Sequence, residues 1–355
     1  MKISTFINPK VVSIDVGSYE TKVVEGRISN KGVVIEKQFS FLTPEGSYEN
    51  GYIIDKELLY YLLNQELKKN KVSSDMTYIT IKSTSIIVRE ILLPKVSSNE
   101  VEGILKYQIG EYLPMNPEEY VIQYQIIGNE EEGEIEKLNV LIIAIPREIV
   151  ESHFSLINQL DMKPCVMDFQ SNSISKLLVY NELINGTYKT RDLTFAAIDI
   201  GYNSTNVTIE KNGLIQVSRV IKFGGDDIDK KIFSILDFSK EELKVKKKEI
   251  DISRFDEDYS EKNRLSNVVK TSIEEMMCMV DKVFSYYTSR DVNNKIHMIL
   301  LYGGISNING IENLFSNYFS IPTVKIETLN KVLIQRDLNK YINCVSSLIR
   351  NTEEQ

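Results

Sequence analysis

Two aspartates in this 355-residue chain end apolar runs in the same local pattern. Asp15 is followed two positions later by Gly17, and Asp199 is followed at the same distance by Gly201. Past the glycines, the two copies share a threonine and a valine at equal offsets, which pairs Thr21 with Thr205 and Val23 with Val207. One Asp-x-Gly is only a turn, but two copies in matching contexts predict two similar α/β halves.

The two turns contain the residue types that bind phosphate. Backbone N–H groups of a tight turn form an anion-binding nest, to which Ser18 can add a hydroxyl group and Lys22 a positive charge. If the halves face each other, Asp15 and Asp199 can hold the outer-shell waters of a Mg²⁺ ion, because octahedral Mg²⁺ keeps several waters while it neutralises phosphates. The sequence therefore predicts a magnesium and phosphate site between the halves.

A third glycine turn follows another apolar run. Gly303 and Gly304 come directly after residues 298–302 and before a helical stretch. A strand, two glycines and a helix allow the backbone to approach a ligand closely at a helix N-terminus. The same arrangement is also common in ordinary strand–helix loops. It therefore indicates a binding site only in combination with the two aspartate turns.

The elements that position these turns are alternating strands and helices. Each aspartate turn opens a hairpin with a glycine at its tip, Gly32 in the first copy and Gly213 in the second. A β-rich block with two helices and its own apolar residues separates the two copies. The predicted units are a first half (1–93), an inserted subdomain (94–169), a connecting helix and linker (170–198), a second half (199–350) and a polar tail (351–355).

Composition and charge exclude several classes of protein. The 42 Lys and Arg residues against 50 Asp and Glu give a net charge of −8, which disfavours a nucleic-acid partner. The cysteines, Cys165, Cys278 and Cys344, lack CxxC spacing, which favours a reducing compartment over disulfides or a zinc site. His153 and His297 are the two histidines, so we interpret them as structural.

The apolar runs of the chain are of strand length. A helix that spans a bilayer needs about 20 consecutive apolar residues, and the N-terminus lacks the apolar region of a signal peptide. We therefore expect a cytoplasmic protein with no direct membrane insertion, whose association with a membrane depends on a partner.

The three turns resemble the nucleotide loops of the superfamily of actin, sugar kinases and the Hsp70 ATPase. VVSIDVGSYETKVVE is similar to its first phosphate loop, AAIDIGYNSTNVTIE to its second, and ILLYGGISNINGIENLF to its adenosine loop. The resemblance implies a two-lobed, actin-like (ribonuclease H-like) α/β fold with duplicated halves and a small inserted α+β subdomain. It also implies ATP and Mg²⁺ as cofactors, bound by Asp15, Gly17, Ser18, Lys22, Asp199, Gly201, Thr205, Lys247, Gly303 and Gly304.

Within that superfamily, nearly the whole chain resembles the PilM family of type IV pilus assembly. The most specific part is the inserted block, in which REILLPKVSSNEVEGILKYQIGEYLPMNPEEYVIQYQII is followed by LNVLIIAIPREIVESHFSLINQLDMKPCVMDFQ. The resemblance implies an ATP-binding scaffold in the cytoplasmic layer of the inner-membrane platform, peripheral to the membrane. Its implied partner is the short cytoplasmic N-terminus of a PilN-like bitopic membrane protein. Self-association in a ring and contact with the pilus motor ATPases, which serve twitching motility, are further implied partnerships.

Three positions depart from the pattern of relatives. Asn203 stands where many relatives have a glycine in the second phosphate loop, and asparagine tolerates left-handed backbone better than most residues. The helix FSKEELKVKKKE leaves Lys247 in the position of the adenosine-site lysine but places Lys244 where relatives have a glutamate. Ser346, in the last helix, replaces a glycine.

No residue is singled out as the group that orients an attacking water. Gln170 and Asn172 are the candidates on the connecting helix. Without a strong base, electrostatic stabilisation alone leaves hydrolysis slow. We therefore expect at most a slow ATPase, in which ATP acts mainly as a conformational ligand.

The peptide groove is expected at the seam between the core strand at 86–93 and the helix and turn at 107–115. The candidate peptide-binding residues are Arg89, Tyr107, Leu113 and Met115, and a basic strip of Lys82, Arg89 and Lys106 is a further possibility beside solvated surface charge. An extended peptide binds either along a strand edge or in an apolar groove.

Two alternative functions remain open. An FtsA-like cell-division protein shares the fold, but FtsA has a C-terminal amphipathic membrane helix, whereas this chain ends in the polar NTEEQ. A small-molecule kinase of the same superfamily needs a catalytic aspartate in a substrate cleft. Asp168 and Asp192 are the acidic residues in the middle of the chain, and both also have structural interpretations.

Overall fold

The computed structural model contains two large sheets with helices between and outside them, and a third, smaller sheet. It describes residues 9–113, 116–132, 135–247, 250–253 and 260–350. The candidate residue Met115 and the predicted tail 351–355 lie outside this part of the chain. None of the described helices is long and apolar enough to cross a membrane.

The first sheet has six strands, numbered in chain order, in the spatial order β10-β6-β1-β2-β3-β18. Their bounds are β1 (Val11–Val16), β2 (Glu20–Ser29), β3 (Gly32–Leu42), β6 (Met76–Ile81), β10 (Lys163–Phe169) and β18 (Val332–Leu333). The first three form an antiparallel meander, whereas β6 and β10 run parallel to β1. Strand β1 is buried along its whole length, as expected for a strand covered on both faces.

The second sheet repeats this topology with five strands in the order β15-β14-β13-β16-β17. Their bounds are β13 (Thr194–Ile200), β14 (Thr205–Lys211), β15 (Leu214–Ile221), β16 (Met298–Tyr302) and β17 (Thr323–Lys325). An antiparallel meander is again followed by two parallel strands. The pairing of Asp199 with Asn206 in the second sheet matches that of Asp15 with Lys22 in the first. The duplication predicted from the aspartate turns is confirmed.

Two helices, α4 (Gln170–Tyr180) and α9 (Leu338–Ser347), lie between the two sheets. Their apolar side chains form one core with side chains from both sheets, among them Leu177 of α4, Val345 of α9, Val24 of β2 and Leu300 of β16. Both sheets therefore pack against α4 and α9.

The remaining helices of the lobes cover the outer faces of the sheets. Helices α1 (Lys56–Lys69) and α3 (Arg147–Gln159) pack on the first sheet. The second is covered by α5 (Gly225–Ile235), α6 (Lys240–Lys246), α7 (Glu261–Ser289) and α8 (Ile311–Phe319). In α7, the side chains of Met276 and Met277 are fully buried, so its methionine-rich stripe is core packing. Asp55 caps α1 by accepting a 3.0 Å hydrogen bond from the Leu58 N–H group, which satisfies one of the unpaired donors of the first turn.

The inserted block forms a three-stranded antiparallel sheet with one helix packed on it. Its elements are β7 (Ile87–Pro94), α2 (Ser98–Tyr112), β8 (Tyr120–Glu132) and β9 (Ile135–Pro146), with the strand order β7-β9-β8. Leu93, Val101 and Val140 are fully buried in its core. Strand β7 falls within the range predicted for the first half but pairs with β9; the predicted unit boundaries themselves stay a prediction.

Short two-stranded ribbons at β4 (Tyr48–Glu49) with β5 (Tyr52–Ile53), and at β11 (Leu183–Ile184) with β12 (Tyr188–Lys189), complete the strands.

Candidate nucleotide site

A cleft of about 620 Å³ opens between the carboxyl ends of β1 and β13. In α/β sheets, ligands bind at this end of the strands, where neighbouring loops converge. The structure brings most of the predicted nucleotide residues to this cleft: Asp15, Gly17, Ser18, Lys22, Asp199, Gly201, Gly303 and Gly304.

The first hairpin turn is held in place by threonine hydroxyl groups. The Thr43 hydroxyl donates a 2.6 Å hydrogen bond to the Gly17 carbonyl oxygen, and the Thr21 hydroxyl lies 2.8 Å from that of Thr43. The Thr43 N–H group donates to the carbonyl of Tyr19 at 2.9 Å. A Cβ atom on Gly17 would lie 2.7 Å from the Glu20 carbonyl oxygen, so this turn closes tightly only with glycine.

The second hairpin turn repeats the requirement for glycine. The Gly201 N–H group donates to the Ser204 carbonyl at 3.1 Å, and the Gly201 carbonyl accepts from the Gly225 N–H group at 3.0 Å. A Cβ atom on Gly201 would lie 2.9 Å from the Ser204 carbonyl oxygen. Asn203 lines the cleft at this turn with negative φ, so the turn forms without left-handed backbone there.

The third turn leads from β16 toward α8 and is hydrogen-bonded to the start of α9. Gly303 has a φ of 89°, in the region that glycine adopts without a steric penalty. The Ser306 hydroxyl donates to the Gly303 carbonyl at 2.7 Å and lies 3.0 Å from Asn339 Oδ1. The Asn339 Nδ2 group in turn donates to the Leu301 carbonyl at 3.1 Å. The glycine turn and the start of α9 therefore form one unit at the predicted adenosine side of the cleft.

The two aspartates meet at the floor of the cleft through Asn343 of α9. The Asn343 Nδ2 group donates to Asp15 Oδ2 at 3.2 Å and to Asp199 Oδ2 at 3.4 Å. Two lysines balance the carboxylates: Lys22 Nζ lies 3.8 Å from Asp15 Oδ2, and Lys82 Nζ lies 3.5 Å from Asp199 Oδ2. Both aspartates are 4% exposed. Little water reaches their carboxylates, and the neighbouring lysines compensate the buried negative charges.

The field of the aspartates extends to the groups around them. Burial lowers the pKa of Lys22, but the charges of Asp15 and Asp199 outweigh burial and raise it above its usual value. Burial, together with the charges of Asp199 and Asp15, raises the pKa of Tyr302. Lys22 is therefore a protonated lysine at neutral pH, and Tyr302 a neutral hydroxyl group.

The polar groups at the cleft fit a hydrated magnesium ion. Within the described ranges, no group of three or more His, Cys, Asp or Glu side chains could hold a metal ion directly, so the two carboxylates of Asp15 and Asp199 match binding through water. Four buried polar atoms of residues at the cleft have no hydrogen-bond partner: Asn343 Oδ1, Gln170 Oε1 and the hydroxyl oxygens of Tyr48 and Tyr302. Such atoms are acceptors that ordered water can satisfy.

The structure separates the two candidates for positioning water. Gln170 lines the cleft and keeps a buried, unpartnered Oε1 atom. The Asn172 Nδ2 group instead donates to Asp168 Oδ1 at 2.8 Å. Asp168 also accepts from the Ser173 hydroxyl at 2.8 Å and pairs with Lys176 at 2.6 Å. Asn172 and Asp168 are thus engaged in fastening the start of α4, and Asp168 is absent from the cleft lining.

Two predicted nucleotide residues do not line the cleft. Thr205 is fully buried below the second turn, where its hydroxyl donates to the Phe223 carbonyl at 2.8 Å. Lys247 follows α6 and forms an ion pair with Asp229. Lys244 is exposed on α6. The cleft lining near this side instead contains Asp226, Asp227 and Lys230 of α5.

The three predicted peptide-binding residues that the structure describes lie in different environments. Arg89 lies on β7, where its guanidinium group donates to the Tyr112 carbonyl at the end of α2. Tyr107 is 87% exposed on α2, whereas Leu113 is 2% exposed in the core of the inserted sheet. Lys82, which the sequence placed in a basic strip with Arg89, lies instead in the cleft between β1 and β13.

Asn343 and Lys82 are site residues that the sequence reasoning missed. Lys82 follows β6 directly, and β6 runs parallel to β1, so its position beside the cleft follows from sheet topology. Asn339 and Asn343 are four residues apart in an otherwise largely apolar helix, and this spacing places them on one face. Two asparagines on one face of this helix were the sequence feature that could have predicted its contact with the cleft.

Comparisons with known proteins identify relatives of this arrangement. A family model described as type IV pilus assembly protein PilM matches residues 13–344. The cell division protein FtsA of Bacillus subtilis (strain 168) is 24% identical over 275 residues, which cover 70% of this chain and 60% of that protein. The matched region thus spans less than two thirds of that relative's length.

Solved structures with the same fold include two actin-like proteins. The structure of the PilM-PilN type IV pilus biogenesis complex matches with a TM-score of 0.78 and 17% identity, and the match covers 96% of this chain and 98% of that one. MreB5 of Spiroplasma citri bound to AMPPNP matches with a TM-score of 0.51 and 14% identity, over 89% and 91% of the two chains. These matches confirm the predicted actin-like fold. Because the family model spans nearly the whole sequence, this chain belongs to the PilM family of type IV pilus assembly proteins.

Proposed function

We propose that the chain is an ATP-binding scaffold of the type IV pilus assembly platform. The observation that carries this proposal is the floor of the cleft, where Asp15 and Asp199 come from opposite lobes and share the amide of Asn343. The turns that contain Gly17 and Gly201 line the same cleft. An arrangement with donors on both sides of a carboxylate pair suits a magnesium-bound triphosphate.

The chemistry of the cleft supports ATP as the ligand. Lys22 and Lys82 supply positive charge beside the carboxylates, and Gly17 and Gly201 leave room for phosphate oxygens near the backbone. Mg²⁺ held through water by Asp15 and Asp199 would neutralise the phosphates when bound. The fold neighbour MreB5 is described as bound to AMPPNP, which supports the same class of ligand here.

Hydrolysis is proposed to be slow. Gln170 and Asn343 are the cleft residues whose amide oxygens lack a partner, and an amide orients water without accepting its proton. The lobes share α4 and α9, so nucleotide occupancy would change how the two sheets sit against these helices. ATP then acts mainly as a conformational ligand.

The proposed partner is the cytoplasmic N-terminal peptide of a PilN-like membrane protein. The related structure is named as a PilM-PilN complex. A groove of about 950 Å³ runs between β7 of the inserted sheet and β15 of the second sheet, and Arg89 lines it. Both strands are edge strands, and an extended peptide can add to such an edge. We place the peptide in this groove, in place of the surface around Leu113.

Cellular location and assembly follow from that partner. The chain would be cytoplasmic and held at the inner face of the membrane by the peptide it binds. Ring formation and contacts with the motor ATPases remain proposals from family resemblance. We propose the inserted subdomain, built on β7, α2, β8 and β9, as the partner-binding unit.

Calorimetric titration of the full chain with ATP and Mg²⁺ tests the nucleotide site. We expect saturable binding that Asp15→Ala weakens by roughly tenfold or more, since one charged hydrogen-bonding group contributes about 1.5–3 kcal/mol. Asp281→Ala, an exposed aspartate of α7, is the control and should bind as the unmodified chain does. Equal affinity in Asp15→Ala and the control would refute the placement of ATP.

Titration with a synthetic peptide of the membrane partner's first residues tests the second part. Binding should saturate and should weaken in Arg89→Glu, which reverses the charge at the groove. Lys68→Glu, at an exposed position of α1 outside the groove lining, reverses an equal charge and serves as the control. If neither variant alters the affinity, the peptide binds elsewhere; if the unmodified chain shows no binding, the scaffold role fails.

A further inference from the structure

Asn343 occupies an unusual position for an amide side chain. It lies on α9 at 7% exposure, between carboxylates that belong to different lobes. Its Nδ2 group faces both Asp15 and Asp199, and a carboxylate pair can only accept hydrogen bonds. The nitrogen must therefore point at the aspartates, which leaves Asn343 Oδ1 buried and without a partner.

Both hydrogen bonds are longer than the usual 2.9–3.0 Å for an N–H group and an oxygen. At 3.2 and 3.4 Å, one amide spans two carboxylates without an ideal fit to either. Two like charges so close together repel each other, and the amide hydrogens reduce that repulsion. In the protein without a bound metal, the amide of Asn343 therefore reduces the repulsion between the two carboxylates, as a cation between them would.

We propose that Asn343 is the positioning residue that makes the closure of the two lobes depend on magnesium. This inference rests on the proposed nucleotide site. Without metal, the amide hydrogens of Asn343 tie Asp15 to Asp199. With metal, the carboxylates bind the waters of the ion, and Asn343 Oδ1 accepts from one of those waters. The amide changes role by rotation about its terminal torsion, which is broad and roughly two-fold.

Helix α9 is hydrogen-bonded to both lobes, so a change in the hydrogen bonds of Asn343 affects both of them. The same face of the helix holds Asn339, which is joined to Ser306 after the Gly303 turn. Farther along α9, the Ser347 hydroxyl lies 2.6 Å from that of Ser13 on β1. A change at Asn343 therefore acts on a helix already bonded to both lobes, so metal occupancy can be transmitted along it.

Asn343→Asp gives the sharpest test. A third carboxylate beside Asp15 and Asp199 raises the charge available to a cation, and ligand charge sets affinity for hard cations. Mn²⁺ titration followed by electron paramagnetic resonance, with no nucleotide present, should show binding roughly tenfold tighter than in the unmodified chain. Mn²⁺ should also raise the melting temperature of this variant more than that of Asn293→Asp, the exposed control.

Asn343→Leu is the second variant, because it keeps a similar volume without adding a charge. In EDTA its melting temperature should be lower than that of the unmodified chain, because the hydrogen bonds from Asn343 to Asp15 and Asp199 are lost. The ratio of ATP affinity in Mg²⁺ to that in EDTA should also fall, since one acceptor for a metal-bound water is gone. The Asn293 control should change neither quantity.

The outcomes separate this inference from the proposed function. If the unmodified chain binds Mg·ATP but both Asn343 variants match the control in Mn²⁺ affinity and in EDTA melting, the role of Asn343 is overturned and the nucleotide site stands. If the unmodified chain binds no nucleotide, the proposed function fails. In that case, tighter Mn²⁺ binding by Asn343→Asp would still establish a cation site at the carboxylates, and unchanged Mn²⁺ binding would refute it.

Discussion

The rings of Tyr19 and Tyr202 contact each other across the cleft between the lobes, with centroids 4.7 Å apart and planes inclined by 36°. Tyr19 belongs to the first hairpin turn and Tyr202 to the second, so the contact joins the two lobes directly. Both rings line the cleft. Aromatic pairs at this distance contribute about 0.5–1.5 kcal/mol beyond their buried area. The pair therefore holds the turns together where a triphosphate would enter or leave.

We predict that Tyr19→Ala accelerates nucleotide release. Loss of the aromatic contact removes about 0.5–1.5 kcal/mol from the closed state, which corresponds to an increase in the dissociation rate of roughly twofold to tenfold. Stopped-flow displacement of a fluorescent ATP analogue measures this rate. Tyr61→Ala, at an exposed position on α1, is the matched control, and an equal rate in both variants would contradict the prediction.

Glycine substitutions should separate the phosphate turns from ordinary helix positions. Gly17→Ala places a Cβ atom 2.7 Å from the Glu20 carbonyl oxygen, so the turn must open and ATP affinity should fall. Gly110→Ala, inside α2, meets no atom within 4 Å and should raise the free energy of unfolding by about 1 kcal/mol. Calorimetry and urea denaturation measure the two effects. ATP affinity unchanged by Gly17→Ala would show that this turn does not approach the phosphates.

Glu210 should make the chain less stable as the pH rises. It is buried on β14, and burial raises its pKa to about 7, although a hydrogen bond from the Gly213 N–H group opposes the shift. Its folded-state pKa exceeds the unfolded value of 4.5, so its contribution is complete below pH 4.5 and is lost as the pH rises toward 7. Glu210→Gln should therefore be more stable than the unmodified chain above pH 7, by up to about 3 kcal/mol.

Urea denaturation between pH 4 and pH 8 checks the Glu210 prediction. The two proteins should differ least at the acid end, where the glutamate of the folded chain is protonated. A constant difference across the range would show that Glu210 does not titrate in this window.

Glu25 should have the opposite dependence on pH. Burial raises its pKa, but the hydrogen bonds from Lys37 and from Ser73 and Ser74 outweigh burial and lower the pKa to about 2. The stability that it contributes is therefore present above pH 4.5 and is lost as the pH falls toward 2. Glu25→Gln should lower the free energy of unfolding at pH 7 by a few kcal/mol, since a buried network loses its charge. Urea denaturation at pH 7 and at pH 3 measures this, and a larger loss at pH 3 would contradict it.

Local sequence rules were sufficient for the turns and for the duplication. An aspartate at the end of a buried strand, a glycine two residues later and a hairpin glycine beyond them are short-range features, because a tight turn constrains its own residues. They predicted the two lobes, and eight of the ten predicted nucleotide residues line the cleft. The loops resembled the actin superfamily, and the inserted block led to the PilM family.

Only the tertiary structure decided which side chains meet at the floor of the cleft. Asn343 and Asp15 are 328 positions apart, and Lys82 and Asp199 are 117 apart. Their contacts exist because both sheets pack against α4 and α9, and no local periodicity encodes that packing. The same reason removes Leu113 from the predicted peptide surface, since its burial depends on how α2 lies on the inserted sheet. Local chemistry thus determined the binding turns, and long-range packing determined which residues complete the site.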